Sequence, residues 1–204
     1  MLFAWAAACQ AERLPPIDSC ARDPSFVAFR TRLNAAIAGR DAAFIRSILP
    51  TNAFSNAGID TGRAGFIRYW DLDHPARSRL WGELAAALRL GCARDRSGLA
   101  WVPSLSLDED APDDATHDGV ALALPGAVVR AAPSDRGRIV AALRWHVISI
   151  ALDDAGHGSW AHVEFGGNRS GYVRRDRIRL FTANHALFQK VRGRWLLAGF
   201  APLD

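Results

Sequence analysis

The feature that most constrains this chain is a change in the spacing of its apolar residues on either side of an acidic segment. Before residue 108, apolar side chains recur mostly at helical intervals, whereas from residue 120 onward they alternate with a period of two. Residues 108–118 (DEDAPDDATHD) are acidic and contain a proline, so they cannot be buried and are predicted to form a linker. The chain is therefore predicted to be an α+β protein with two folded parts.

The first part, residues 20–107, is predicted to be a helical α+β domain. A first helix is predicted to begin after Asp23 and to end at Gly39, because a capping residue and a proline precede apolar residues at helical spacing. Asp41 is predicted to cap a second helix, which Pro50 ends.

Two more helices and a strand are predicted in the rest of this domain. Residues 66–70 indicate a short third helix, and residues 73–88 indicate a fourth. Gly91 follows at the position where a left-handed residue commonly caps a helix. Residues 99–107 are predicted to form a strand that contains Pro103.

The N-terminal residues are typical of the end of a secretory signal. Residues 2–9 form an apolar run followed by polar residues, and residues 1–12 are assigned as a signal-like segment. A short core helix and a lipidated Cys9 are the alternatives. The run is far shorter than the about 20 residues that span a bilayer, so no stable membrane span is predicted. We expect a periplasmic or cell-envelope location.

Removal of that segment leaves two cysteines, Cys20 before the first helix and Cys92 after the fourth. Two cysteines in an exported chain suggest one disulfide, Cys20–Cys92. Two buried free thiols are the alternative, because sequence spacing cannot show that two sulfur atoms meet.

The charge distribution gives no indication of nucleic-acid binding. Residues 1–118 carry 13 basic and 15 acidic side chains, whereas residues 119–204 carry 12 basic and 6 acidic side chains. Lys190 is the only lysine among the 25 basic residues, and evenly spread arginine favours codon composition over a phosphate-binding patch. No known nucleic-acid-binding motif is present in the sequence.

No sequence pattern indicates catalysis, a metal or a cofactor. Neither Cys20 nor Cys92 lies in a peptidase-like motif, and the sequence has no glycine-rich phosphate loop. The six histidines have no metal-ligand spacing. His157 and His162 flank Trp160, but such residues more often lie on a solvated strand edge than at a metal site. We therefore predict a non-catalytic protein.

The second part, residues 119–181, is predicted to be a small β-barrel. Residues 147–152 and 160–165 alternate as strands do, and turn signals follow at 153–156 and 166–168. Short strands joined by tight turns favour a strongly bent barrel.

Three blocks of this part resemble bacterial SH3 domains. Residues 128–134 (VVRAAPS) look like the N-V-R-x-x-P-S opening of that family, residues 159–163 (SWAHV) resemble its x-W-x-x-V strand, and residues 171–173 (GYV) are similar to its G-Y-V strand. The order and spacing of the blocks agree over residues 120–181. The resemblance implies an SH3-like barrel that binds cell-wall peptidoglycan or another envelope protein.

Trp160, Tyr172 and Arg174 are the predicted binding residues. Strand alternation places Trp160 opposite Val163 and thus away from the barrel core, and exposed aromatic residues often mark recognition surfaces. The alternative is that Trp160 packs beneath a loop or against the helical part. Arg174 begins a run of arginines that would meet an anionic polymer, although such runs are commonly solvated strand edges.

Residues 182–204 are predicted to form a C-terminal β-hairpin around the Arg-Gly-Arg turn at 192–194. The barrel is complete near residue 180, yet Phe188 and Trp195 still require burial, so we expect the hairpin to pair with the N-terminal domain.

This ending is similar to the last strands of NTF2-like folds. That resemblance implies an alternative function, namely a small-ligand binder or enzyme with a pocket in the first part. Phe54, Trp70 and Trp101 are the predicted lining residues of that pocket.

Overall fold

A computed structural model of the protein describes residues 13–55, 62–107, 119–151, 154, 158–167 and 169–202. The helices are α1 (Pro24–Gly39), α2 (Ala42–Ile48), α3 (Gly62–Tyr69) and α4 (Leu80–Leu88). The strands are β1 (Ala93–Arg94), β2 (Ala100–Val102), β3 (Val120–Ala123), β4 (Ala127–Arg130), β5 (Ile139–Leu143), β6 (Val147–Ile150), β7 (Trp160–Phe165), β8 (Arg169–Arg174), β9 (Ile178–Leu180), β10 (His185–Val191) and β11 (Arg194–Ala201). This mixture of helix and sheet confirms the α+β class.

The described residues divide into two compact units. The α+β unit contains residues 16–107 and 183–202, and the β unit contains residues 13–15 and 119–182. The β unit is thus inserted in sequence between β2 and β10 of the α+β unit. The predicted signal-like segment (1–12), with Cys9, and the predicted linker (108–118) lie outside the described residues.

The α+β unit is built on a four-stranded sheet with the order β1-β2-β10-β11. The C-terminal hairpin pairs with β2, where Ala186 lies opposite Val102 and Phe188 lies opposite Ala100. All neighbouring strands in this sheet are antiparallel. The hairpin therefore completes the N-terminal domain, which is the placement expected from its need for burial.

Aromatic side chains join the hairpin to the helices of this unit. The ring of Phe26 on α1 lies 4.9 Å from Trp195 and 5.9 Å from Phe188, measured between centroids. Trp70 stacks on Phe200 at 4.9 Å. All five side chains are at most 4% exposed, so the core of the unit needs both helices and hairpin.

The predicted starts of the first two helices are confirmed. The Asp23 carboxylate accepts hydrogen bonds from the backbone amides of Ser25 and Phe26, at 2.8 and 3.3 Å. The Asp41 carboxylate accepts one from Phe44 at 2.9 Å. These bonds satisfy amides at the first turn that have no partner within the helix.

The predicted start of the fourth helix at residue 73 is wrong, because α4 begins at Leu80. Asp71 adopts a left-handed backbone with φ of +48°, and hydrogen-bonded turns follow it. The Ser78 hydroxyl then donates to the Trp70 carbonyl and accepts from the Leu80 amide. Gly91, with φ of +74°, does have the predicted left-handed conformation.

The strand predicted over residues 99–107 is also wrong in its extent. The strand β2 ends at Val102, and a 3₁₀ turn at Ser104–Leu107 follows it. Pro103 has no amide hydrogen, so it cannot donate to a neighbouring strand at that position.

A disulfide between Cys20 and Cys92 confirms the predicted cysteine pairing. Their Cα atoms are 5.6 Å apart, and both residues are fully buried. The Ser19 amide donates to the Cys92 carbonyl at 2.9 Å, so backbone pairing aligns the two segments. Disulfides persist mainly in oxidising compartments, which is consistent with an exported protein.

The β unit is a seven-stranded antiparallel sheet with the order β5-β4-β8-β7-β6-β3-β9. Its core side chains come from alternating positions and are mainly small and branched; they include Val129, Ile148, Ala161, Val163, Phe165 and Val173. Among the described residues no pairing joins β5 to β9, so the sheet is not closed. The structure therefore shows strands at both predicted places, with β6 ending at Ile150, and does not show an SH3 barrel. Of the turn predicted at 153–156, only Asp154 lies within the described residues.

Candidate functional site

The three predicted binding residues lie on one side of β7 and β8. Ala161 and Val163 of β7 are fully buried in the core of the β unit, so Trp160 and His162, which alternate with them, point to the opposite side. In β8, Val173 is likewise fully buried. Trp160, Tyr172 and Arg174 are each partly exposed on what we term the outer face.

Cross-strand pairing brings these side chains into contact. Trp160 lies directly opposite Arg174, and the guanidinium carbon is 5.0 Å from the indole centroid. His162 lies opposite Tyr172, and their rings stack at 4.8 Å with an interplanar angle of 20°. The outer face thus presents a Trp–Arg pair beside a His–Tyr pair. Strand alternation places His162 on this face, where it contacts Tyr172, and His162 was not predicted to be a binding residue.

The strand β4 extends the outer face. Arg130 lies opposite Tyr172, and its guanidinium donates to the Gly137 carbonyl at 2.8 Å. A Cβ at Gly171 would lie 2.7 Å from the Arg130 carbonyl oxygen, so only glycine permits this approach of β8 to β4. Arg130 lies in the VVRAAPS block but was not among the predicted binding residues.

Arg174 is held from a second direction by Asp135. The Arg174 Nε donates to one carboxylate oxygen at 3.1 Å, and its Nη2 donates to the other. This hydrogen bonding lowers the pKa of Asp135 below its ordinary value and raises that of Arg174. Asp135 lies in the loop between β4 and β5, and no sequence signal pointed to this partnership.

The three alternative pocket residues each have contacts of their own. Trp70 is 1% exposed and stacks on Phe200, while the Trp101 indole nitrogen donates to Asp95 at 2.9 Å. The Phe54 ring lies against Gly199 of β11. Within the described part of the chain no ring contact joins Phe54, Trp70 and Trp101.

Metal ions require clusters of ligand side chains, and a membrane-spanning helix requires a minimum length. No group of three His, Cys, Asp or Glu side chains among them is arranged to hold a metal ion. His157, which flanks Trp160 in the sequence, lies outside the described residues. None of the described helices is both long and apolar enough to cross a bilayer.

Comparisons with known proteins do not assign a family. No protein-family model, no curated protein and no solved structure matches this chain. The geometry of the outer face is therefore the main evidence on function.

Proposed function

We propose that this protein is a non-catalytic envelope protein whose β unit is an SH3-like module that binds peptidoglycan through the outer face. The observation that carries the proposal is the meeting of Trp160, Tyr172 and Arg174 on one partly exposed side of β7 and β8. The Cys20–Cys92 disulfide supports residence in the periplasm or cell envelope.

The chemistry of the outer face suits a ligand that is both flat and anionic. Aromatic rings offer rigid apolar area with a polar edge, and such residues commonly dominate binding energy. Sugar rings present flat C–H surfaces, and peptide stems carry carboxylates. The Arg174 guanidinium lies over the Trp160 ring, and Arg130 lies in register with Tyr172 on the neighbouring strand. Guanidinium groups bind carboxylates well, and Arg174 uses only its Nε and Nη2 for Asp135.

Contacts between side chains within the protein order the outer face in the absence of a ligand. Asp135 holds Arg174 over Trp160, and His162 supports Tyr172. Side chains that are ordered in advance lose less conformational entropy on binding. A protein ligand on the same face is the alternative partner.

A sedimentation assay on purified peptidoglycan tests the proposal. The wild-type protein is expected to sediment with peptidoglycan, and Trp160→Ala and Arg174→Gln are each expected to reduce the bound fraction. Arg144→Gln is the matched control, because Arg144 is an exposed arginine of the β unit whose side chain is not part of the outer face. Added salt should weaken binding, since exposed charges are screened.

Equal sedimentation of the wild type and Trp160→Ala would contradict the proposal, as would an equal loss in Arg144→Gln. Failure of the wild type to sediment would exclude peptidoglycan. Capture of an envelope protein that Trp160→Ala abolishes would instead assign the outer face to a protein partner.

A further inference from the structure

The α+β unit contains a cavity that the outer face does not involve. Its volume is about 330 Å³, and it lies between α1, α2 and the start of β11. Small-molecule sites commonly have volumes from about 300 to 1,000 Å³, so this space fits a small ligand. The cavity is separate from the Phe54, Trp70 and Trp101 positions predicted from the sequence.

Each helix contributes one face to the cavity. Ser25, Ala28, Phe29 and Arg32 of α1 are spaced by three, one and three residues, so they share one side of that helix. Phe44, Ser47 and Ile48 of α2 follow the same pattern, and Arg194 and Trp195 of β11 complete the wall.

The floor of the cavity is apolar and belongs to the core of the unit. Phe29, Ile48 and Trp195 are only 2%, 5% and 4% exposed, and all three belong to the main core cluster. Close-packed core residues move little, so the floor has a defined shape. Ala28 has a small side chain, which leaves space above this floor.

The rim of the cavity is positively charged. Arg32 and Arg194 are exposed, and neither guanidinium has a hydrogen bond or ion pair among the described residues. Neighbouring arginines of the unit differ in this respect: Arg30 pairs with Asp18 at 2.7 Å, and Arg94 pairs with Asp23 at 3.0 Å.

No carboxylate lines the cavity, so its two arginines have no acidic partner within it. The other polar groups of the lining side chains are the hydroxyls of Ser25 and Ser47 and the indole N–H of Trp195, which donates to Ser25. A site with two unpaired guanidinium groups above an apolar floor favours a ligand with a negatively charged head and an apolar body.

The Ser25 hydroxyl is a structural part of the wall and not a nucleophile. It donates to the Asp23 carboxylate at 2.7 Å and accepts from Lys190 Nζ at 2.7 Å and from the Trp195 indole nitrogen at 3.0 Å. Its hydrogen and both lone pairs are therefore in use.

We infer that this cavity binds a small amphipathic oxyanion, with its carboxylate or phosphate group between Arg32 and Arg194 and its apolar body on Phe29, Ile48 and Trp195. The head group binds the guanidinium groups by charge-assisted hydrogen bonds, and the body displaces water from the floor. This inference does not depend on the proposed function of the β unit.

Calorimetric titration of the full chain with 3-phenylpropanoate tests the inference. We expect saturable binding in the millimolar range or tighter, and at least about tenfold weaker binding of the neutral analogue 3-phenylpropanamide. A parallel titration with phenyl phosphate compares a phosphate head group with the carboxylate of 3-phenylpropanoate. The ligand that binds more tightly identifies the head group that the site prefers.

Substitutions then locate the binding site. Arg32→Gln and Arg194→Gln are each expected to weaken 3-phenylpropanoate binding by about tenfold. Arg192→Gln is the matched charge control, because Arg192 lies in the same hairpin turn but does not line the cavity. Ala28→Leu should block the cavity, whereas Ala35→Leu, at an exposed position of α1, should not.

Thermal melts of the variants show whether each one is folded. Equal binding of the acid and the amide would overturn the inference, as would an equal effect of Arg192→Gln and Arg194→Gln. Absence of saturable binding of both anions to the folded wild-type protein would overturn it as well.

Discussion

The guanidinium group of Arg174 lies between two partners, with its carbon 5.0 Å from the centre of the Trp160 ring and its nitrogens bonded to Asp135. The position of the Arg174 charge above the Trp160 ring therefore depends on Asp135, which lies in the loop between β4 and β5. This arrangement connects the ionisation of Asp135 to the geometry of the outer face.

Arg174→Gln is expected to raise the pKa of Asp135 back towards its ordinary value of about 3.9. In the wild type, hydrogen bonding to Arg174 is the main cause of the lowered pKa. Because the folded pKa is lowered, the pair stabilises the fold above the unfolded pKa, and this contribution is lost as the pH falls through the folded pKa. An NMR titration of the Asp135 carboxyl carbon measures the change. Arg136→Gln is the control, and an unchanged Asp135 pKa in Arg174→Gln would contradict the assignment.

Trp160→Ala is expected to destabilise the protein less than Val163→Ala does. Val163 is fully buried, and its truncation should cost about 1–3 kcal/mol of unfolding free energy. Trp160 is partly exposed and loses a cation–π contact worth about 0.5–1 kcal/mol at such sites. Urea denaturation of both variants gives the comparison. A larger loss for Trp160→Ala would show that the tryptophan is a core residue.

The β unit is expected to lose stability as the pH falls below 7, because of His146. Partial burial, together with the charge of Arg13, lowers the pKa of His146 below its ordinary value of about 6.5. As the pH decreases, His146 therefore binds a proton in the unfolded chain at a higher pH than in the folded chain. The free energy of unfolding decreases as the pH decreases from the unfolded pKa to the folded pKa. Thermal melts of the wild type and His146→Gln across this range should show a flatter dependence in the variant. An NMR-measured His146 pKa at or above 6.5 would be inconsistent with this prediction.

Replacement of both Cys20 and Cys92 by alanine is expected to destabilise the α+β unit by about 4 kcal/mol in the chain-entropy model, because the bridge closes a long loop. The two cysteines are separated by 72 residues in the sequence. Urea denaturation of the wild type and the double variant measures the loss. Intact mass after alkylation, with and without reduction, checks the bridge itself, and two alkylated thiols in unreduced periplasmic protein would exclude it.

Deletion of residues 183–204 is expected to unfold the α+β unit and to leave residues 119–181 folded when these are expressed alone. The deletion removes two of the four strands of the sheet together with the buried side chains of Phe188 and Trp195. Circular dichroism of the truncated chain should show loss of helical signal. A full helical signal with a cooperative melt would mean that the helices do not need the hairpin.

The sequence predicted elements well where the relevant residues are close neighbours. The start of α1 depends on Asp23 and on the two amides that it caps, all within four residues, so the local pattern was sufficient. The start of α4 was not predictable in this way. Asp73 and Pro75 resemble a helix start, but the bonds of the Ser78 hydroxyl keep this segment in turns until Leu80.

The outer face was only partly predictable for the same reason. Strand alternation placed Trp160 on the side opposite Val163, because that period depends on backbone geometry alone. The register between β7 and β8 then decides that Tyr172 and Arg174 share the side of Trp160. The contact of Arg174 with Asp135 joins residues 39 positions apart, and no local pattern encodes it. The cavity between α1, α2 and β11 was even less predictable from local sequence, because Arg32 and Arg194 are separated by most of the chain.

By itself, the sequence determined the α+β class, the caps of α1 and α2, the alternating faces of β7 and the cysteines available for a disulfide. Only the tertiary structure decided that β10 pairs with β2, that Asp135 holds Arg174 and that two unpaired arginines border one cavity. The physical reason is that caps and periodicities depend on backbone geometry over a few residues. Pairings between distant segments depend on how complete units bury their apolar surface.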